Sequence, residues 1–257
     1  MKTRQTLSFT NQPKNLFYKK ERTQFTTDNG GYKNMVEEKR ILSIPGERIS
    51  AQTFLEAMQL TSNLDEKEQN RLDVMLDRAS KVANPKAVFG VAPIEEKGKD
   101  YIVAAGEKLT SALLRKNLEK ANRILPYVMT CGRELETWAK EFKDPTEIQW
   151  ANSILLFYFG IIRRKLIHAV RMTYIPTGDI SSMNPGSLPQ WPLTDQKHIF
   201  ALLGNVEDET GVILMESGLM KPDKSSSGFL FSAETHFENC AVCRRKDCPG
   251  RRASWRK

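Results

Sequence analysis

Apolar residues return at helical spacing in the longer segments of this chain and crowd together in several short runs. Ile49, Phe54, Leu55 and Met58, then Leu72, Met75, Leu76 and Ala79, recur every three or four positions. With Asp65 and Glu66 near the start and Pro85 beyond the end, the pattern predicts an amphipathic helix of roughly five turns. The runs A-V-F-G-V-A-P at 87–93 and Y-I-V-A-A at 101–105 flank a charged turn at 95–100 and predict a pair of strands. A helix over 111–122 is expected next, then a buried strand over 124–130 that stops at Cys131-Gly132. Glu134 opens a further helix through Trp138 and Phe142, and a long apolar helix is expected over 146–174. Its most apolar part, 154–162, is nine residues long and runs straight into Arg163, Arg164 and Lys165. A bilayer takes about 20 such residues, so this is a buried helix and not a membrane span.

The texture then changes. Pro176, Gly178, Pro185, Gly186, Pro189 and Pro192 mark an ordered loop or junction. A short helix over 195–203 leads to strand-like stretches at 211–217 and 228–232. Residues 1–34 are polar and hold no sustained period, which reads as a flexible basic tail. No internal repeat is present. Paired strands mixed with long helices, without regular alternation, predict an α+β fold. The expected organisation is the tail at 1–34, an α+β body at 35–237, and a basic cysteine-rich segment at 238–257 packed on that body.

The 257 residues suffice for a substantial core, and 40% apolar with 27% charged residues is ordinary for a soluble protein. The net charge of +8 is concentrated at the ends. Residues 1–40 carry nine Lys or Arg against four Asp or Glu, and residues 238–257 carry seven against two. The rest of the chain is therefore at 8 − 10 = −2. A basic end suits an acidic partner, nucleic acid or plain solvation. The opening M-K-T-R-Q-T-L-S-F-T develops no apolar run, so a cytoplasmic location is expected.

Three of the four cysteines fall in E-N-C-A-V-C-R-R-K-D-C-P-G-R-R, spaced C-x2-C-x4-C as Cys240, Cys243 and Cys248. Thiolates are soft ligands, and a two-residue gap lets one pair grip a single ion or cluster edge. In a reducing compartment this pattern favours metal or cluster chemistry over disulfides. Zinc would need a fourth ligand, which His236 offers as H-x3-C-x2-C-x4-C. An iron-sulfur cluster, 4Fe-4S in type, would draw on Cys131, and Cys248-Pro249 repeats a step that closes several iron-sulfur loops. His168 and His198 read as surface or capped residues, and no phosphate-binding loop or hydrolase motif is present.

The segment E-S-G-L-M-K-P-D-K-S-S-S-G-F-L-F-S at 216–232 resembles a signature of the activation (reactivation) domain of cobalamin-dependent methionine synthase. N-P-G-S at 184–187 sits where that family carries its Pro-Gly loop, and T-C-G-R-E-L-E at 130–136 is similar to a strand-turn-helix of its stand-alone relatives. The resemblance implies a curved antiparallel sheet flanked by helices, docking over a corrinoid and presenting S-adenosylmethionine so that cob(II)alamin can be reduced and remethylated. Pro185, Gly186, Ser187 and Gly228 of these segments are expected to face the ligand or the corrinoid, with Gly186 and Gly228 permitting close backbone approach; Ser225 and Ser227, on the same side of an extended segment, are placed to hydrogen-bond it, and Trp191, between prolines, to cover a flat ligand. For Ser225 and Ser227 the alternative is that they satisfy a turn. The family's adenosylmethionine-contacting Arg and two Tyr correspond to Ser182, Ser187 and Leu230, which removes a charge-assisted pair and two stacking surfaces and argues against adenosylmethionine binding.

The function expected is that of an accessory protein of corrinoid-dependent methyl transfer. It would dock on a cobalamin-carrying protein or methyltransferase subunit and support reductive reactivation through an iron-sulfur site fed by a ferredoxin or flavodoxin. One alternative is a subunit of a cobalamin-dependent methionine synthase, or another thiol methyltransferase, with a zinc site. Another is a basic zinc knuckle for nucleic acid, against which stands the lone aromatic Trp255 where several stacking platforms are usual.

Overall fold

The computed structural model of the protein describes residues 36–46, 48–58, 60, 64–188, 190–233, 237, 239–243 (backbone alone at 242) and 253–254, with the backbone of residues 18–19. The first elements are the short strand β1 (Tyr18–Lys19) and β2 (Glu37–Ser43). Helices α1 (Ala51–Met58) and α2 (Glu66–Val82) follow. A meander of β3 (Lys86–Lys97), β4 (Tyr101–Ala104) and β5 (Glu107–Thr110) leads through α3 (Ala112–Asn117) into β6 (Arg123–Thr130). Next come α4 (Arg133–Ala139), the 29-residue α5 (Pro145–Thr173) and β7 (Asp179–Met183). A 3-10 turn at Leu193–Asp195 feeds α6 (Gln196–Leu203) and α7 (Val206–Thr210). The last elements are β8 (Ile213–Leu214), β9 (Met220–Lys221), β10 (Ser225–Ala233) and α8 (Asn239–Val242).

An eight-stranded antiparallel sheet in the order β1-β2-β3-β6-β10-β7, with β4 and β5 folding off β3, organises the molecule. Side chains alternate across it. Val88, Ile124, Val128, Met183, Phe229 and Phe231 pack on one face against Ile199, Leu202 and Leu203 of α6. Phe89, Leu125, Tyr127, Met129 and Leu230 pack on the other against Ile162, Leu166 and Val170 of α5. The N-terminal half of α5, through Trp150, Ile154 and Tyr158, leaves the sheet and joins α1, α2 and α4 in a third cluster. One long helix therefore ties a helical layer to the sheet, and its central turns are apolar nearly all round because both layers need them. Among the described residues no helix is long and apolar enough to cross a membrane.

The α+β class and the curved antiparallel architecture expected from the sequence are found. The amphipathic pattern of 49–79 belongs to two helices, because Asp65 caps α2 and Glu68 reaches back to the Asp65 N–H, a capping box that opens a new helix there. The expected helix at 111–122 is shorter, and β5, α7 and β9 are additions. Two strands were hidden. β7 lies inside the Pro/Gly-rich stretch read as a loop, and β2 has a charge-rich sequence whose Lys39 is buried by pairing with Glu209 at 2.5 Å and donating to the Gly204 carbonyl. Residues 18–19 of the expected tail pair with β2 as Tyr18↔Leu42 and Lys19↔Ile41.

Phe89 lies at the centre of the α5-facing layer, fully buried and edge-to-face with Tyr174 at 6.3 Å. Phe89→Ala is expected to lower unfolding stability by about 3–5 kcal/mol, read as a shift in urea midpoint at constant slope.

Candidate functional site

The motifs that the sequence scatters over a hundred residues meet at one end of β6, β10 and β7. Ser225 pairs with Thr130, and Phe229 with Met183, so the T-C-G-R-E-L-E, S-S-S-G and N-P-G-S segments become neighbours. As the sequence predicts, T-C-G-R-E-L-E is strand, turn and helix: β6 ends at Thr130, Gly132 takes a φ of +99°, and α4 begins at Arg133.

Asn184, just past the end of β7, is buried and fastens this corner. Its Nδ2 donates to Tyr127 Oη at 2.6 Å and to the Ser227 carbonyl at 2.6 Å, with Ser226 Oγ at 3.3 Å. Gly228 makes this possible, since a Cβ there would fall 2.4 Å from Asn184 Nδ2 and 2.4 Å from the Met183 carbonyl. Pro185 is buried, Gly186 turns with a φ of +75° and donates its N–H to the Trp191 carbonyl at 2.8 Å, and Ser187 is exposed at the tip.

Several residues expected to face a ligand are used by the protein itself. Trp191 is 1% exposed, stacks on Phe229 at 5.4 Å and donates Nε1 to Asp195 at 3.1 Å. It anchors the Pro-Gly loop in the core and does not cover a flat ligand. Ser225 and Ser227 share a face of β10 as predicted, but Ser225 Oγ bonds Thr130 Oγ1 and the Pro222 carbonyl, and buried Ser227 Oγ donates to Gln196 Oε1 at 2.7 Å. Of the two readings left open, internal satisfaction is the one that their geometry matches. Ser182 and Leu230 lie directly opposite each other in the β7–β10 ladder and are 3% and 1% exposed.

The C-terminal segment runs beside the free edge of β7. Ser182 donates its N–H to the Phe237 carbonyl at 3.2 Å, and the Phe237 N–H reaches Ser181 Oγ at 2.8 Å. Asn239 Nδ2 then donates to the Asn184 carbonyl at 3.2 Å, setting α8 against the residue that opens the Pro-Gly loop. Cys240 lies in α8 and Cys243 immediately after it, both half-buried. Asn239 Oδ1 is buried and has no donor among the described residues. Sequence reasoning read Asn184 only as the first residue of N-P-G-S, with no role of its own, and passed over Asn239.

Cys131 is elsewhere in character. It is fully buried beside Leu72, Leu76, Leu135 and Trp138, under the helical layer. Burial, and secondarily the Glu136 carboxylate, push its thiol from 9.0 up to about 12. A ligand thiolate needs the opposite environment. Among the described residues no three His, Cys, Asp or Glu come together as a metal group, so Cys131, Cys240 and Cys243 do not assemble the shared centre expected from sequence. Cys248 and His236 lie outside the described residues.

Comparison with known proteins fits this geometry. No protein-family model matches the chain, and no curated protein matches it. A solved structure does: the crystal structure of the MetH reactivation domain bound to AdoHcy, with a TM-score of 0.56 and 23% identity over 76% of this chain and 78% of that one. The fold is that of the MetH reactivation domain. At this identity the likeness is one of architecture, and the bound AdoHcy belongs to the MetH domain. Within the reactivation-domain fold, this chain puts a buried Ser182–Leu230 pair in the β7–β10 ladder and a cysteine-bearing arm along the β7 edge.

Two outcomes follow from the geometry. Gly228→Ala is expected to cost about 1–3 kcal/mol, because the new methyl group displaces the buried Asn184 amide from the Ser227 carbonyl and the Tyr127 hydroxyl, and thermal unfolding will register it. Cys131 is expected to resist thiol reagents at pH 8 until the protein is unfolded. Its raised pKa favours folding fully below pH 9.0 and loses that contribution as pH rises toward about 12, so stability measured across that window should fall.

Proposed function

We propose that this protein is an accessory of corrinoid-dependent methyl transfer, docking on a cobalamin-carrying protein and supporting its reductive reactivation. The observation that carries the reading is the Asn239–Asn184 bond, which holds the cysteine arm against the Pro-Gly loop of a reactivation-domain fold. A redox group at that place would stand at the end of the sheet where the three motifs meet.

In this reading Cys240, Cys243 and Cys248 hold an iron-sulfur cluster. The fit rests on the donor set: two half-buried thiols three residues apart in sequence on an arm fixed to the body by main-chain and asparagine hydrogen bonds. Cys131, buried with a thiol raised to about 12, is left out, and His236 stands as the other protein donor near the trio in sequence. When bound, such a cluster supplies a single electron to a corrinoid Co(II), and a ferredoxin or flavodoxin restores it. Arg244, Arg245, Lys246, Arg251 and Arg252, near the cysteines in sequence, bring positive charge that would offset the thiolates and suit an acidic partner. S-adenosylmethionine has no part in the proposal. The positions that the resemblance assigns to its contacts are Ser182, Ser187 and Leu230, which supply neither a carboxylate-binding cation nor a stacking ring.

Protein purified without oxygen should be brown, with absorbance near roughly 400 nm from thiolate-ligated iron. Cys240→Ser and Cys243→Ser should each lose iron and sulfide while unfolding at a temperature close to the parent's. Mixed with a Co(II) corrinoid protein and a low-potential reductant, the parent should speed loss of the Co(II) spectrum and the variants should not. Colourless protein holding one zinc would overturn the electron-transfer reading in favour of a thiol methyltransferase subunit.

A further inference from the structure

The hairpin of β8 and β9 stands at the same corner as the Pro-Gly loop. Its register, Ile213↔Lys221 and Leu214↔Met220, runs on into the turn. There the Met215 N–H donates to the Leu219 carbonyl at 2.8 Å, and the Gly218 N–H donates to the Met215 carbonyl at 2.9 Å. Met215 and Leu219 are therefore direct cross-strand neighbours on one face of the hairpin. Met220, on the other face, packs against the α6-side core, which turns Met215 and Leu219 outward. They are 40% and 59% exposed.

The turn is braced from within. Buried Gln196 of α6 donates Nε2 to the Gly218 carbonyl at 2.6 Å, and its Oε1 accepts from Ser227 Oγ of β10 at 2.7 Å. Leu193 packs against this turn and the Pro-Gly loop together: a Cβ added at Gly218 would lie 3.3 Å from its carbonyl oxygen, and one at Gly186 2.5 Å from its Cδ1. Past β9, the Asp223 N–H donates to the Glu136 carboxylate of α4 at 2.7 Å. Two large apolar side chains are thus held out to solvent by a backbone fixed to α4, α6 and β10. Among the described residues the other exposed large apolar side chains are Val74 and Val82, eight residues apart on α2, and Ile148 and Met172, near opposite ends of α5. Single apolar residues on a surface need no explanation, but a strand-paired couple on a braced turn marks an interaction surface.

We propose that Met215 and Leu219 form the apolar contact through which this protein seats on its cobalamin-carrying partner. This rests on the function proposed above and adds the surface that makes the contact. Continuity favours that partner over a second copy of the chain. The hairpin shares Leu193 with the Pro-Gly loop and Gln196 with β10, so it belongs to the end of the sheet where the three motifs and the cysteine arm meet. A braced tip loses little backbone freedom on contact, and the flexible Met215 side chain suits an irregular apolar surface such as the methyl-bearing rim of a corrin.

Titration calorimetry of the full chain against the cobalamin-binding fragment of a cobalamin-dependent methionine synthase tests this. The parent should bind. Met215→Ser/Leu219→Ser alters two exposed side chains, so it should melt with the parent but bind at least about tenfold more weakly. Val74→Ser/Met172→Ser, which removes apolar groups exposed at 60% and 69% on the helices, should bind as the parent does. Unchanged binding by the hairpin variant, or an equal loss in the helix variant, would overturn this proposal and leave the function standing. No binding by the parent would overturn both. A parent that sediments as a dimer, with the hairpin variant a monomer, would assign the pair to contact between copies and overturn the proposal.

Discussion

The arrangement of the candidate site depends on one buried amide. The Asn184 side chain spends its donors on Tyr127 of β6 and the main chain of β10, and the main-chain carbonyl of the same residue accepts from Asn239 of the C-terminal arm. Three segments far apart in sequence are thereby fixed to one another at a sheet corner with little freedom to slide. A buried amide hydrogen bond contributes only about 1 kcal/mol net, but leaving such a group unpaired costs about 1–3 kcal/mol, so the constraint acts mainly by excluding other arrangements. Gly228 is its sterically required counterpart.

Around that corner the protein distributes its apolar groups so that the site is supported from behind. Trp191, stacked on Phe229, roots the Pro-Gly loop in the α6 layer, while Leu230 closes the α5 layer directly opposite Ser182. α5 runs from the helical cluster onto the sheet, so the body behind the corner packs as a unit. What is left at the front is Ser187, the arm and its two half-buried cysteines.

Much of this was legible in the sequence, for identifiable reasons. The periodicity of Leu72, Met75, Leu76 and Ala79 gave a helix because burying one face imposes a 3.6-residue repeat, and the long apolar run gave α5 because a helix packed between two layers is apolar nearly all round. The three motifs resembling the activation domain converge because strand pairing brings together what their order alone could suggest. β7 escaped because D-I-S-S-M is short and polar, and its identity as a strand comes from β10 on one side and the Phe237 backbone on the other. β2 escaped because Lys39 reads as a surface residue until Glu209, distant in sequence, neutralises it. Cys131 misled for a related reason: thiol chemistry is visible in sequence, but the apolar cluster that suppresses it is a tertiary property.

The central claim is that the cysteine arm builds a redox centre beside Asn184 and the Pro-Gly loop, without Cys131. An anomalous difference map at the iron edge, from crystals of protein prepared without oxygen, tests it most directly. The account predicts iron bound to Cys240 and Cys243 next to Asn184 and Gly186. Iron ligated by Cys131, or an arm whose cysteines hold no iron, would contradict it.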